Sequence, residues 1–319
     1  MAKLKLALYW AGSCGGCEIA VLEIGERILK VIEIADIVFW PCVIDFKYKD
    51  VENMDDNEID VTLFNGVIRN SENEDVAKLL RKKSKILIAY GSCANEGCIP
   101  ALANFYTKSE IFEIVYKTTP STINHNGVEP AERTEVAEGE LDLPHFYDQV
   151  FTLAEVVNVD YYIPGCPPTA DRTWECIELI AGGKLPPPGS VIGAGDKAVC
   201  DECDLVKEEK RISGFVRPHL YIPDGEHCLL EQGIVCMGPA TRSGCGAQCL
   251  KANMPCRGCY GPIEGIRDQG AKMISAIGSL VDSTDPGRSE EIINQIVDPA
   301  GTFYRFGLAK SLMRRAKRS

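Results

Sequence analysis

The sequence predicts an α/β fold: a parallel, doubly wound sheet followed by an irregular, cysteine-rich half that ends in helices. Three observations predict it. Short β-rich runs alternate with helical patterns as far as residue 182. The stretch "GGKLPPPGSVIGAG" (182–195) then interrupts the chain with a stiff triple proline. Beyond Cys200 glycine, proline and cysteine are dense, and regular periodicity is scarce until about residue 270.

The β-rich runs are "LKLALYW" (4–10), "DIVFWP" (36–41), "IDVTLF" (59–64), "KILIAY" (85–90) and "VDYYIP" (159–164), which makes five strands. After the first, Val21, Ile24, Ile28 and Ile32 recur at helical spacing, with Glu23, Glu26, Arg27 and Lys30 opposite. Residues 72–83 and 169–182 form two further helices. Residues 117–146 break the rhythm with a polar, proline-containing insertion, either a functional loop or a solvated excursion. The linker carries Gly193-x-Gly195-x-x-Ala198, which mimics a dinucleotide fingerprint but lacks the strand before it and the helix after it. It reads as connector, dividing the chain into residues 1–183 and 184–319. Helical patterns return at 271–281, 289–297 and 304–316.

A chain of 319 residues is long enough for about two domains with a full core. No apolar run approaches the roughly 18–20 residues that span a bilayer, and "MAKLKLALYW" reads as a first strand rather than a leader. The expected location is therefore the cytoplasm, with no membrane partner. A formal charge of −12 excludes a nucleic-acid partner, which needs a positive face. The basic end, "LMRRAKRS", reads as a solvated terminus.

Fifteen cysteines in a reducing compartment point to metal binding or redox chemistry rather than disulfides. In a doubly wound sheet, sites form at the carboxyl ends of the strands. Cys14 and Cys17 follow the first strand, Cys93 the fourth and Cys166 the fifth, so these thiols converge at one edge. Four thiolates suit tetrahedral zinc or a cubane equally well. Gly15 and Gly16 let backbone N–H groups approach, and the helix start that follows favours an anionic species, which leans toward an iron–sulfur cluster. The second half holds Cys200-x-x-Cys203, Cys228, Cys236, Cys245, Cys249 and Cys256-x-x-Cys259, enough for two complete four-ligand sites. Cys42, Cys98 and Cys176 are left over, with buried packing as their default role. Cys98, five residues past Cys93, is the one rival for the fourth-strand ligand. Glu18, beside the first pair, reads as a helix-start carboxylate favoured by the dipole rather than as part of a proton route.

"SCGGCE", "YGSCA" and "PGCPP" in this order, followed by a second cysteine-rich region, resemble the small subunit of a [NiFe] hydrogenase, over residues 4 to 262. The resemblance implies a flavodoxin-like first domain carrying a proximal [4Fe–4S] cluster on Cys14, Cys17, Cys93 and Cys166. "HCLLEQGIVCMGP" resembles the distal-cluster segment, so that Cys228 and Cys236 join Cys200 and Cys203. "TRSGCGAQCLKANMPCRGC" resembles the medial-cluster segment, giving Cys245, Cys249, Cys256 and Cys259. Two departures matter. Many relatives begin the distal site with His-x-x-Cys where this chain has Cys200, and many have proline near position 249 and a three-iron medial cluster. Both changes add thiolate charge, which lowers reduction potential.

Three low-potential cubanes resemble the soluble hydrogenases of methanogenic archaea, in particular the methyl-viologen-reducing, coenzyme F-420-non-reducing type. The resemblance implies that the Ni–Fe centre sits only in a partner large subunit. This chain would then carry electron transfer, with no catalytic residue for H2. Electrons would pass to an iron–sulfur accepting subunit linked to heterodisulfide reductase. Its rivals are the small subunit of a coenzyme F-420-reducing or sulfur-reducing hydrogenase, a quinone-linked respiratory-complex subunit and a zinc-stabilised scaffold without redox function. The eight later cysteines count against the respiratory-complex subunit.

Overall fold

Strands whose residues are apolar on both faces build the centre of the molecule. The computed structural model describes residues 3–208 and 211–313. Five strands pair in parallel in the order β2–β1–β3–β5–β9: β1 (Leu4–Trp10), β2 (Ala35–Phe39), β3 (Ile59–Asn65), β5 (Ser84–Tyr90) and β9 (Tyr161–Ile163). The β1–β3 register runs from Leu6 opposite Val61 to Trp10 opposite Asn65. Alternate residues serve opposite layers. Leu6 and Leu8 join one core with Val21, Ile24, Val31, Cys176 and Ile177. Ala7 and Tyr9 join the other with Val76, Ala77 and Leu80. Helices covering both faces explain why these strands read as continuous apolar runs.

The first layer is α1 (Gly16–Leu22), α2 (Ile28–Ile34) and α7 (Ala170–Ala181); the second is α3 (Tyr48–Glu52) and α4 (Ser71–Lys83). Helix α4 forms where its ends are chemically marked. The Asn70 side chain accepts the Asn73 N–H at 2.8 Å, Glu72 and Glu74 lie in the first turn, and Arg81, Lys82 and Lys83 lie in the last.

The helical stretch after β1 differs from its sequence reading. A 3-10 turn at Gly25–Arg27, entered at φ +65°, separates α1 from α2 and resets the helical phase. Val31 is buried as a result, while Ile32, at 48% exposure, faces outward.

The insertion is a solvated excursion with structure of its own. It follows α5 (Gly91–Glu96) and α6 (Lys108–Glu113) and contains the exposed hairpin of β6 (Arg133–Val136) and β7 (Gly139–Asp142). It returns through β8 (Phe146–Phe151), which pairs antiparallel with β4 (Ile68–Asn70). Residues 193–198 form no strand–turn–helix, in keeping with a connector.

The second half packs irregular loops on helix α9 (Gln269–Leu280), whose start is capped by Asp268 accepting the Ala271 N–H at 2.9 Å. Met273 and Ile277 of α9 meet Val199, Ile212, Leu229, Ile234 and Met237, with Cys236 and Cys256 among them. Three short helices complete it: α8 (Gln248–Lys251), α10 (Pro286–Ile293) and α11 (Pro299–Phe303).

The helix expected over 304–316 is absent from its described part, which holds only a 3-10 turn at Leu308–Lys310. Tertiary contacts override the pattern there. Phe306 and Ala309 pack into the first half beside Cys93 and Cys98, and the Phe306 carbonyl accepts the Cys98 N–H at 3.0 Å. Lys310 reaches Asn95 at 3.0 Å and Glu96 at 3.4 Å. Most of the basic end, residues 314–319, lies outside the described residues. Among the described residues no helix is long and apolar enough to cross a membrane.

Candidate metal centres

The carboxyl ends of β1, β5 and β9 deliver the first group of thiols. The chain leaves β1 and enters α1 through Gly15 at φ +81°, which sets Cys14 before the helix and Cys17 in its first turn. Gly91, at φ +83°, turns β5 into α5 and so carries Cys93. A Cβ on Gly91 would run into the Cys17 sulfur, so the bare backbone is what leaves that thiol room. Burial, and then the Cys166 and Cys14 thiols, push the Cys17 pKa far up. The Cys98 thiol, 1% exposed, stands 3.6 Å from the Cys166 sulfur and also within hydrogen-bonding reach of Cys93. Five thiols therefore meet where the sequence pointed to four.

Glu18 lies in the first turn of α1, as its position implied, but it is buried. Trp40 Nε1 and Asn65 Nδ2 donate to its two oxygens, and the Cys42 thiol donates at 3.6 Å. Burial raises its pKa, against those hydrogen bonds.

The eight later cysteines fall into two neighbourhoods. Cys200 feels Cys228 and Cys203, and Cys236 feels Cys200 and Cys228. Cys259 feels Cys256, then Cys166 of the first group, Cys245 and Cys249, while Cys256 feels Cys236 ahead of Cys245. Backbone N–H groups are aimed at several of these sulfurs. Glu231 and Leu230 donate to Cys228, Ala247 and Gln248 to Cys245, and Gly238 to Cys236. Such donors suit thiolates and the anionic inorganic species they hold. A Cβ on Gly238 would lie 3.0 Å from the Cys200 sulfur, a second bare-backbone cradle. Without a bound metal, burial lifts Cys236 and Cys256 to about 12 and Cys200 to about 11, so ligation must expel their protons.

The neighbourhoods are joined in a row. Ser92, beside Cys93, donates its hydroxyl to the Cys259 carbonyl. Cys166 lines one cavity of 530 Å3 with Cys245, Cys249, Cys256 and Cys259. At the far side the Cys256 N–H donates to the Cys236 sulfur at 3.3 Å. Among the described residues no three His, Cys, Asp or Glu side chains close tightly enough to hold a single metal ion.

Cys176, 1% exposed, lies within the sheet core, where the apolar side chains of the strands and α7 surround it. Cys176→Ala should leave any metal content unchanged and cost on the order of 1 kcal/mol, measurable as a small loss of thermal stability. Sequence alone did not mark Ser92 or the closeness of Cys98 to Cys166. The Cys93-x4-Cys98 spacing was the available signal for the latter.

Residues 14–180 match the family described as NADH ubiquinone oxidoreductase, 20 Kd subunit. Over 97% of its length the chain is 43% identical to the iron–sulfur subunit of the F420-non-reducing hydrogenase of Archaeoglobus profundus, covering 98% of that protein. It is 38% identical to the corresponding F420-non-reducing hydrogenase subunit of Methanothermobacter thermautotrophicus, over 98% of this chain and 96% of that one. Among solved structures, a chain of an NAD+-reducing [NiFe]-hydrogenase in the H2-reduced state superposes with a TM-score of 0.50 at 29% identity, covering 58% of this chain and 94% of that chain. Fold and likeness to these proteins thus define an electron-transfer small subunit of the [NiFe] hydrogenase class. Within it, the chain belongs to the family of F420-non-reducing hydrogenase iron–sulfur subunits.

Proposed function

We propose that this chain conducts electrons from a Ni–Fe site in a partner large subunit, through three [4Fe–4S] clusters, to an iron–sulfur subunit linked to heterodisulfide reductase. The observation that carries the reading is that the first thiol group adjoins the second and the second adjoins the third. In this reading Cys14, Cys17, Cys93 and Cys166 hold the proximal cluster. Cys245, Cys249, Cys256 and Cys259 hold the medial cluster, and Cys200, Cys203, Cys228 and Cys236 the distal one. Once bound, the clusters supply one-electron carriers. The protein's own part is to aim N–H donors at the sulfurs and to bury Cys17, Cys93, Cys236 and Cys256 among the ligands. It also ties the sites together through the Ser92 hydroxyl on the Cys259 carbonyl and the Cys256 N–H on the Cys236 sulfur. Residues 1–183 and 184–319 form the two functional units, with the proximal site on the first.

The large subunit covers the edge around Cys14 and Cys17. Trp10, Ile19 and Leu22 are all more than two-fifths exposed on the end of β1 and on α1, the elements that flank those thiols.

Anaerobically purified protein should contain about twelve iron and twelve acid-labile sulfide per chain. Stoichiometric zinc with little iron would overturn the reading. The proximal set has its own test. Cys93→Ser should abolish the proximal EPR signal and Cys98→Ser should preserve it; the opposite result would make Cys98 the ligand. A verified monomer of this chain should take up no H2 with viologen.

A further inference from the structure

We infer that Arg257 is a positioning residue for electron transfer: its fixed positive charge, set between the medial and distal thiol groups, raises the reduction potential of the medial cluster. The inference rests on the reading that Cys245, Cys249, Cys256 and Cys259 hold a cluster.

Arg257 follows Cys256 directly, and the Cys256 N–H is the group that donates to the distal sulfur of Cys236. The half-buried side chain forms part of two walls. On one side it is, among the described residues, the only cationic one lining the cavity that Cys245, Cys249, Cys256 and Cys259 share. On the other it lines a cavity of 440 Å3 with Arg217, His219 and Arg305. The one carboxylate in that second wall, Asp298, accepts the Gly301 N–H at 2.8 Å at the start of α11.

Burial lowers the Arg257 pKa, and the charges that act on it most are another cation, Arg305, and then the thiols of Cys249, Cys236 and Cys256. A half-buried guanidinium beside a second cation is costly unless an anion faces it. The thiols of Cys249, Cys236 and Cys256 are the anionic groups that act on it most, with Glu23 and Asp171 elsewhere in the wall of the first cavity. Arginine keeps its proton at any working pH, so this charge is permanent. A nearby positive charge favours the more negative, reduced form of a cluster, and burial lessens the screening. Arg257 thereby offsets part of the extra negative charge that a fourth medial thiolate introduces.

The test uses the intact hydrogenase complex carrying wild-type chain, Arg257→Gln or Arg257→Lys, with EPR-monitored redox titration of each cluster and iron analysis of each sample. Arg257→Gln should lower the medial midpoint. The reduced-to-oxidised ratio at a fixed applied potential should fall at least tenfold, about 59 mV for a one-electron couple. The distal midpoint should move less, and the proximal one least. Arg257→Lys, which keeps the charge, should restore most of the wild-type medial value. An unmoved medial midpoint in Arg257→Gln with full iron content overturns the inference. Should Arg257→Gln lose the medial iron, Arg257→Lys decides: a cluster at the wild-type midpoint supports the role of charge, and one at a clearly lower midpoint overturns it. A wild-type complex with no four-iron medial signal overturns the underlying site assignment instead, whatever the variants do.

Discussion

Cys249→Pro should convert the medial site from four irons to three while the other two sites persist. The substitution removes one thiolate and leaves Cys245, Cys256 and Cys259, and proline brings no donor to replace the sulfur. The backbone should accept the change. Cys249 is the second residue of α8, and the N–H groups of a helix's first turn have no acceptor within the helix. The hydrogen bonds that reach the Cys245 sulfur come from Ala247 and Gln248, so they survive. A three-thiolate site settles as [3Fe–4S], and the lost ligand charge raises its potential. The medial site would then trap electrons between two neighbours of lower potential, slowing delivery to a low-potential acceptor more than to a high-potential dye. Oxidised protein should gain the EPR signal of a three-iron cluster. Four irons at an unchanged medial potential would show that Cys249 is not a ligand.

Gly91→Ala should empty the proximal site. The added methyl meets the Cys17 sulfur, and φ of +83° is strained for any side chain. The atom it meets is the end of the Cys17 side chain, which can make room only by swinging its sulfur away from the other thiols. Iron should fall from about twelve to about eight per chain, and the proximal EPR signal should vanish. Gly183→Ala is the control, because it imposes comparable backbone strain at φ +60° with open space around the new methyl. It should keep its iron. If Gly91→Ala retains the proximal signal, the packing of Cys17 against that turn does not define the site.

The five strands and their parallel sheet were legible because strands covered on both faces leave nearly continuous apolar runs, as in "KILIAY" and "IDVTLF". The thiol-bearing loops of the first half were legible because each follows a strand, and those of the second because cysteine is dense where periodicity is lost. What escaped the sequence depends on contacts between distant segments. The phase change at Gly25 buries Val31 in place of Ile32, and a periodic pattern cannot register a one-residue reset. Residues 304–313 carry helical spacing, yet Phe306 is drawn to Cys98 in the other half of the chain. The nearness of Cys98 to Cys166 and the position of Arg257 between two cavities arise the same way, from segments that meet only after folding.

The docking of Phe306, Ala309 and Lys310 against the turn that follows Cys93 bears on biosynthesis. Cys14, Cys17, Cys93 and Cys98 are all translated well before Phe306, whose carbonyl accepts the Cys98 N–H. That contact therefore cannot form until the second half of the chain has been made, so the turn after Cys93 reaches its final packing only when both halves are present.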